Sequence, residues 1–286
     1  MRIFKVKLFS RFARGQRITD KQLCAAVDRA ARLPRRLYTG LMKRFVQWFS
    51  TAGVGTSSSA AASMFGEDWS SEPRWRVLEA CVDLSGFRER VDRRQVRAEF
   101  GIAEGSIVFG HVGRFVEQKN YPFLIEVAER LAAKESRAIF VLVGEGPAKP
   151  QTEDEIRQRG LEDRFIVLAG RDDIARLMLG LFDSFLFPSL HEGLGLALVE
   201  AQAAGLSCFV SSVIPPEAIV VPALVHQIPL SAGPEAWAEL IMRRIAESAP
   251  VTQPVTQQQA LRAVEERFDI RQNAAQLMEF YQKAVS

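Results

Sequence analysis

Residues 106–134 read SIVFGHVGRFVEQKNYPFLIEVAERLAAK. The run 107–112 is apolar and carries no Lys, Arg, Asp or Glu, the composition of a strand covered on both faces. From Tyr121 onward, Phe123, Leu124, Val127, Ala128 and Leu131 fall on one stripe at helical spacing, so 121–134 reads as a helix. Asn120 stands where a cap is expected. Strand, loop and amphipathic helix in that order make one βα unit.

The same alternation continues toward the C-terminus. Strands are expected at 138–143, 165–169, 184–187 and 208–211, and helices at 153–159, 174–179 and 195–204. Three further helices are expected at 236–247, 257–268 and 271–284. Short strands separated by helical patterns mark parallel βαβ units, so the fold class is α/β, a Rossmann-like doubly wound parallel sheet. Ahead of it, residues 51–63 are rich in Ser, Ala and Gly, and 66–74 are polar with one Pro. A boundary is therefore expected near 66–75, giving a basic helical segment over 1–74 and a ligand-binding domain over 75–286.

Of the 286 residues, 48% are hydrophobic and 25% charged, close to the norm for soluble globular chains. No apolar run approaches the roughly 20 residues of a spanning helix. Cys24, Cys81 and Cys208 are odd in number and widely spaced, which fits neither a disulfide framework nor a zinc site and points to a reducing, cytoplasmic setting. The net charge of +3 hides an asymmetry: residues 1–52 hold 13 Lys or Arg against two Asp, so the rest is acidic. Such a segment suits anionic lipid headgroups or nucleic acid, and equally a solvated helical face. Residues 1–17 lack an uninterrupted apolar core and a cleavage site, so no secretory signal is expected.

Open parallel sheets bind ligands beyond the carboxyl ends of their strands, which directs attention to three loops. The first, 113–120, sets Arg114 and Lys119 beside a helix N-terminus, where two cations and free amides suit a diphosphate; two solvated surface cations would give the same letters. The second, Gly144-Glu145-Gly146-Pro147, lacks the third glycine of a dinucleotide fingerprint and reads as a tight turn lining the cleft. The third is the most specific: FPSLHEGLGLALVEA, residues 187–201. Glu192 lies in the loop, Gly193 and Gly195 permit close backbone approach, and Glu200 falls in the first turns of the next helix. Each carboxylate can accept two hydrogen bonds from a vicinal diol. Alternatively Glu192 supports the turn and Glu200 decorates a surface helix, although that helix is otherwise apolar. His111, His191 and His226 are scattered, and Asp172-Asp173 is not an Asp-x-Asp element, so no metal is expected.

Taken together, the Gly-Arg loop with Lys119 five residues after Arg114, the Gly-Glu-Gly-Pro turn, and Phe-Pro-Ser-x-x-Glu-Gly-x-Gly followed by Glu-Ala resemble the family-4 retaining glycosyltransferases of GT-B fold. The resemblance covers roughly 56–281. It implies transfer of a sugar from a nucleoside diphosphate to a hydroxyl, with retention, on a lipid-linked or saccharide acceptor in polysaccharide or glycoconjugate assembly. It also implies roles: Arg114 and Lys119 on the diphosphate, Glu192 on the transferred sugar, and Glu200 on the ribose. Backbone at Gly113, Gly193, Leu194, Gly195 and Leu196 would complete the donor contacts, with Gly170 and Arg171 where the base stacks. No cofactor, metal or specific nucleic acid is implied; peripheral contact with the inner membrane face through 1–52 is a further expectation.

The chain departs from the family's pattern at Ala80-Cys81, where Asn-Gly is usual, and at Ser207, where Pro is usual. The larger departure is at the front. Residues 1–74 match only the end of the acceptor domain, at 35–49 and 54–65, so that domain is expected to be largely missing. The competing expectation is therefore a donor-binding module or partner subunit without activity of its own.

Overall fold

The computed structural model describes residues 44, 48, 50, 52–55, 58–77, 81–247 and 255–271. It divides into two compact units, one ending at Val77 and one beginning at Leu78. The basic segment 1–43 and nearly all of the expected final helix at 271–284 lie outside the described residues.

In the first unit, β1 (Gly53–Gly55) pairs in parallel with β2 (Trp75–Val77) across the crossover helix α1 (Ser58–Phe65). Phe65 stacks on Trp75 with ring centroids 4.3 Å apart, and both pack with the buried Ala61. Because β2 pairs with β1, residues 75–77 go with this unit, three residues beyond the sequence boundary.

The second unit runs α2 (Arg93–Glu99), β3 (Ile107–Val112), α3 (Tyr121–Lys134), β4 (Ala138–Val143), α4 (Lys149–Gln158), β5 (Phe165–Leu168) and α5 (Ile174–Gly180). It continues with β6 (Ser184–Phe187), α6 (Leu196–Ala203), β7 (Ser207–Ser211), β8 (Val225–Ile228), α7 (Gly233–Glu247) and α8 (Gln257–Phe268). The six strands form one sheet in the order β5-β4-β3-β6-β7-β8, with every pairing parallel. Chain direction across the sheet reverses between β3 and β6, the doubly wound arrangement expected from the alternation.

Strand periodicity divides the core into two layers. Phe109, Phe140, Leu142, Leu186 and Phe209 pack with α3 and α7 on one face. Val108, Val141, Val143, Phe185, Phe187 and Val210 pack with α5, α6 and α8 on the other. Gly110 belongs to β3 because a Cβ there would lie 2.1 Å from the Phe182 ring.

In the second unit the structure adds two elements to those expected from the sequence. Helix α2 is short and mostly exposed, starting at a capping Asp92 that accepts from Arg94 and Gln95 amides. Strand β8, Val225-His226-Gln227-Ile228, is a half-exposed edge strand that needs only one buried neighbour and so lacks an apolar run. Helix α4 starts at Lys149 rather than 153, because Pro150 suits a first turn, where its missing N–H costs nothing.

Candidate functional site

The central seam is short. Strands β3 and β6 pair only at Phe109↔Ser184 and Gly110↔Phe185. One step on, where His111 would face Leu186, the imidazole Nδ1 contacts the Leu186 carbonyl at 2.8 Å instead. A carbonyl only accepts, so Nδ1 carries the proton. Burial pushes the ring down to about 4, with the Lys119 charge acting the same way, so His111 is neutral, and its Nε2 has no partner among the described residues.

Beyond the split, the first loop is tied to the third. The Leu190 amide donates to the Gln118 carbonyl at 2.8 Å. Gln118 Nε2 donates to the His191 carbonyl at 2.8 Å and reaches Glu192 Oε2 at 3.3 Å. Asn120 Nδ2 donates to the Pro188 carbonyl at 3.1 Å. Asn120 therefore does not cap α3 with its side chain, as the sequence suggested. It sits left-handed at φ 56°, the only such non-glycine among the described residues, a conformation Asn tolerates better than most.

Lys119 and Glu192 form an ion pair at 2.6 Å, with side chains 12% and 6% exposed. Lys119 Nζ also lies 4.4 Å from the Phe187 ring centroid. Gly113 closes this corner: a Cβ there would press on His111 Nε2 and Lys119 Cε, each at 3.1 Å. Removing either charge would leave the other buried and uncompensated.

Eight residues along the chain from Glu192, Glu200 lies in the second turn of α6, after Gly195 at φ 80° has turned the chain into the helix. Leu198, Val199, Ala201 and Ala203 are buried around it. Burial pushes the Glu200 carboxyl up to about 7, and it has no hydrogen-bonding or ionic partner among the described residues. The helix is held by Gln202, a residue the sequence reading passed over. Its Nε2 donates to Leu198 and Ala218 carbonyls and its Oε1 accepts from Val220 and Val221 amides, satisfying a fully buried amide.

The Gly144-x-Gly146 turn supports the first loop. Phe115 N–H donates to the Glu145 carbonyl at 2.9 Å, and a Cβ on Gly144 would lie 1.9 Å from the Gly113 oxygen. Glu145 Oε1 accepts from Gly170 N–H at 3.3 Å, joining the turns after β4 and β5. Arg114 is exposed, and its guanidinium makes no hydrogen bond or ion pair among the described residues. Arg171 is engaged in two bonds to Asp173, at 2.6 and 2.8 Å, and makes no contact with Glu192 or Glu200. Gly193 and Leu196 are exposed, and Leu194 is buried.

The Glycosyl transferases group 1 family model matches residues 92–258, more than half the chain and all six strands of the sheet. This chain belongs to that family. Relatives of this chain include EpsF of Bacillus subtilis (strain 168), whose own assignment as a glycosyltransferase is inferred; it is 33% identical over 86% of this chain and 63% of its own length. A UDP-Gal:alpha-D-GlcNAc-diphosphoundecaprenol alpha-1,3-galactosyltransferase of Escherichia coli is 33% identical over 48% of this chain and 36% of its own length. The chain thus spans under two thirds of these relatives. Among solved structures, Anabaena HepE in complex with UDP and glucose matches at TM-score 0.71 and 19% identity, over 87% of this chain and 67% of that one. That likeness shows the shared GT-B fold. A second model, the RelE toxin, matches residues 1–60, almost wholly outside the described residues and overlapping the alignment to EpsF.

The group 1 sheet also has a hollow of about 460 Å³ at its amino edge, lined by Ser106, Asp183, Ser207 and His226 among others. Ligands of open parallel sheets sit at the other edge, so the loops, not this hollow, make the candidate site. No helix among the described residues is long and apolar enough to cross a membrane.

Proposed function

We propose that this chain holds the nucleoside-diphosphate sugar for a family-4 reaction that passes the sugar to a hydroxyl with retention, in polysaccharide or glycoconjugate assembly. The observation that carries the reading is Glu200, a largely buried carboxyl without a partner among the described residues, on the helix that follows the Glu192 loop at the switch point of the sheet. Burying such a group unpartnered is unfavourable, and the vicinal hydroxyls of a ribose offer the two donors it lacks.

The other roles follow from the same corner. An ammonium has three donors; Lys119 gives one to Glu192, leaving others for a diphosphate oxygen. Arg114, whose guanidinium has no partner among the described residues, supplies a second cation. Charge develops on the leaving diphosphate, where preorganised cations lower the barrier most, so the reading needs no metal or cofactor. Glu192 takes the sugar hydroxyls, and backbone groups of Gly113, Gly193, Leu194, Gly195 and Leu196 line the phosphates. Arg171 flanks the base once its Asp173 bonds are considered as its anchor.

The Escherichia coli relative is named for a diphosphoundecaprenol-linked acceptor, which supports a lipid-linked acceptor here and contact of residues 1–52 with an anionic inner membrane face. Titration calorimetry with UDP and GDP tests the donor site: Glu200→Ala is expected to lose the binding that wild type shows. Binding of neither nucleotide by the wild type overturns the reading. Sedimentation with and without anionic liposomes tests the basic arm.

A further inference from the structure

We infer that Gln118 is a positioning residue for Glu192, fixing the orientation of its carboxylate toward the sugar; this rests on the donor-site reading above. Glu192 is followed by Gly193, whose missing Cβ leaves that side of the loop open, with nothing within 4 Å of where it would stand. On its own side of the seam the loop is held at Ser189, whose carbonyl accepts from Ser211 Oγ at 2.6 Å, so the contacts that reach Glu192 come from across the seam. Lys119 holds Oε1 at 2.6 Å, but one contact leaves a carboxylate free to swing about its terminal torsion. Gln118 removes that freedom. Its amide reaches Oε2 at 3.3 Å and the His191 carbonyl at 2.8 Å, while its own carbonyl accepts from Leu190 N–H at 2.8 Å. One residue thus holds 190, 191 and 192 at once, through backbone and side chain.

With each carboxylate oxygen engaged once, one acceptor site remains on each, the number a vicinal diol requires. Lys119 supplies the charge and Gln118 the aim. Replacing Gln118 leaves the Lys119–Glu192 pair and the phosphate cations in place, so the effect falls on the sugar and not on the nucleotide. A residue that only kept the loop folded would affect both.

The test uses the full chain and its Gln118→Met and Gln118→Glu variants. Met keeps the length and removes the donor; Glu keeps the shape and sets a second carboxylate against Glu192. Dissociation constants are measured for UDP with UDP-glucose, or for GDP with GDP-mannose, whichever pair the wild type binds. The expected result is a rise of about tenfold in the ratio of sugar-nucleotide to nucleotide Kd in both variants, the scale of one lost hydrogen bond to an ionised group. In Gln118→Met, which adds no charge beside Lys119, the Kd of the bare nucleotide stays within about twofold on the same reasoning. Equal weakening of both ligands overturns the proposal, as does an unchanged ratio in Gln118→Met. A wild type that binds none of the four overturns the donor-site reading together with this one.

Discussion

Glu200 and His111 both titrate away from their ordinary values, and with opposite consequences for stability. The Glu200 carboxyl is raised from 4.5 to about 7 by burial, so the folded chain holds a proton that the unfolded chain releases between those values. Its contribution is fully present below 4.5 and is lost as pH rises through 7. Glu200→Gln is therefore expected to raise stability at pH 8 by about 1–3 kcal/mol and to change little at pH 4, read from urea midpoints. His111 is lowered from 6.5 to about 4, so its contribution is present above 6.5 and lost as pH falls toward 4. Between 4.5 and 6.5 the two slopes oppose each other. The wild-type stability curve should be flatter there than that of Glu200→Gln, and a wild-type curve as steep as the variant's would count against the pairing. Nucleotide binding that depends on ionised Glu200 should also weaken below pH 7.

At the scale of elements, the strand-loop-helix unit at 107–134 was legible because burial on both faces and a helical stripe each leave a periodic trace in the letters. Glu192 and Lys119 were legible as letters in loops at the right strand ends, and Glu200 as the one acid in a mostly apolar helix that follows such a loop. The bonds that arrange them were not: Gln118 and Asn120 meet partners 68 to 74 positions away, and no local pattern encodes that. Asn120 was read as a cap because capping and left-handed turns favour the same residue. The two roles separate by mutation. Asn120→Ala should cost about 1–2 kcal/mol from backbone strain, whereas Asn120→Gly should recover most of it while still lacking the bond to Pro188. Gly144→Ala should be worse than either, because its Cβ meets the Gly113 carbonyl and not a flexible side chain. Thermal unfolding of the three variants ranks them.

For the molecule as a whole, the seam between β3 and β6 is held at its amino end by Asp183. Its carboxylate accepts from Val108 N–H at 2.7 Å, Arg93 at 2.6 Å and Arg97 at 2.7 Å, and Arg97 also binds the Ser106 and Leu181 carbonyls. Asp183→Ala should cost about 2–4 kcal/mol, since two guanidinium groups lose their counter-ion. Asp183 lies at the strand edge opposite the loops, so nucleotide affinity of the folded fraction should be unchanged; a change in Kd would show that the two ends of the seam are coupled.

The two register pairs between β3 and β6 also bear on kinetics. Strands β3, β4 and β5 pair through nearer neighbours in sequence, as do β6, β7 and β8, so each half can form before the halves meet. Arg114 and Lys119 come from one half and Glu192 and Glu200 from the other. A nucleotide bridging them would grip a boundary that closes late and opens early, so it should slow unfolding and leave the refolding rate almost unchanged.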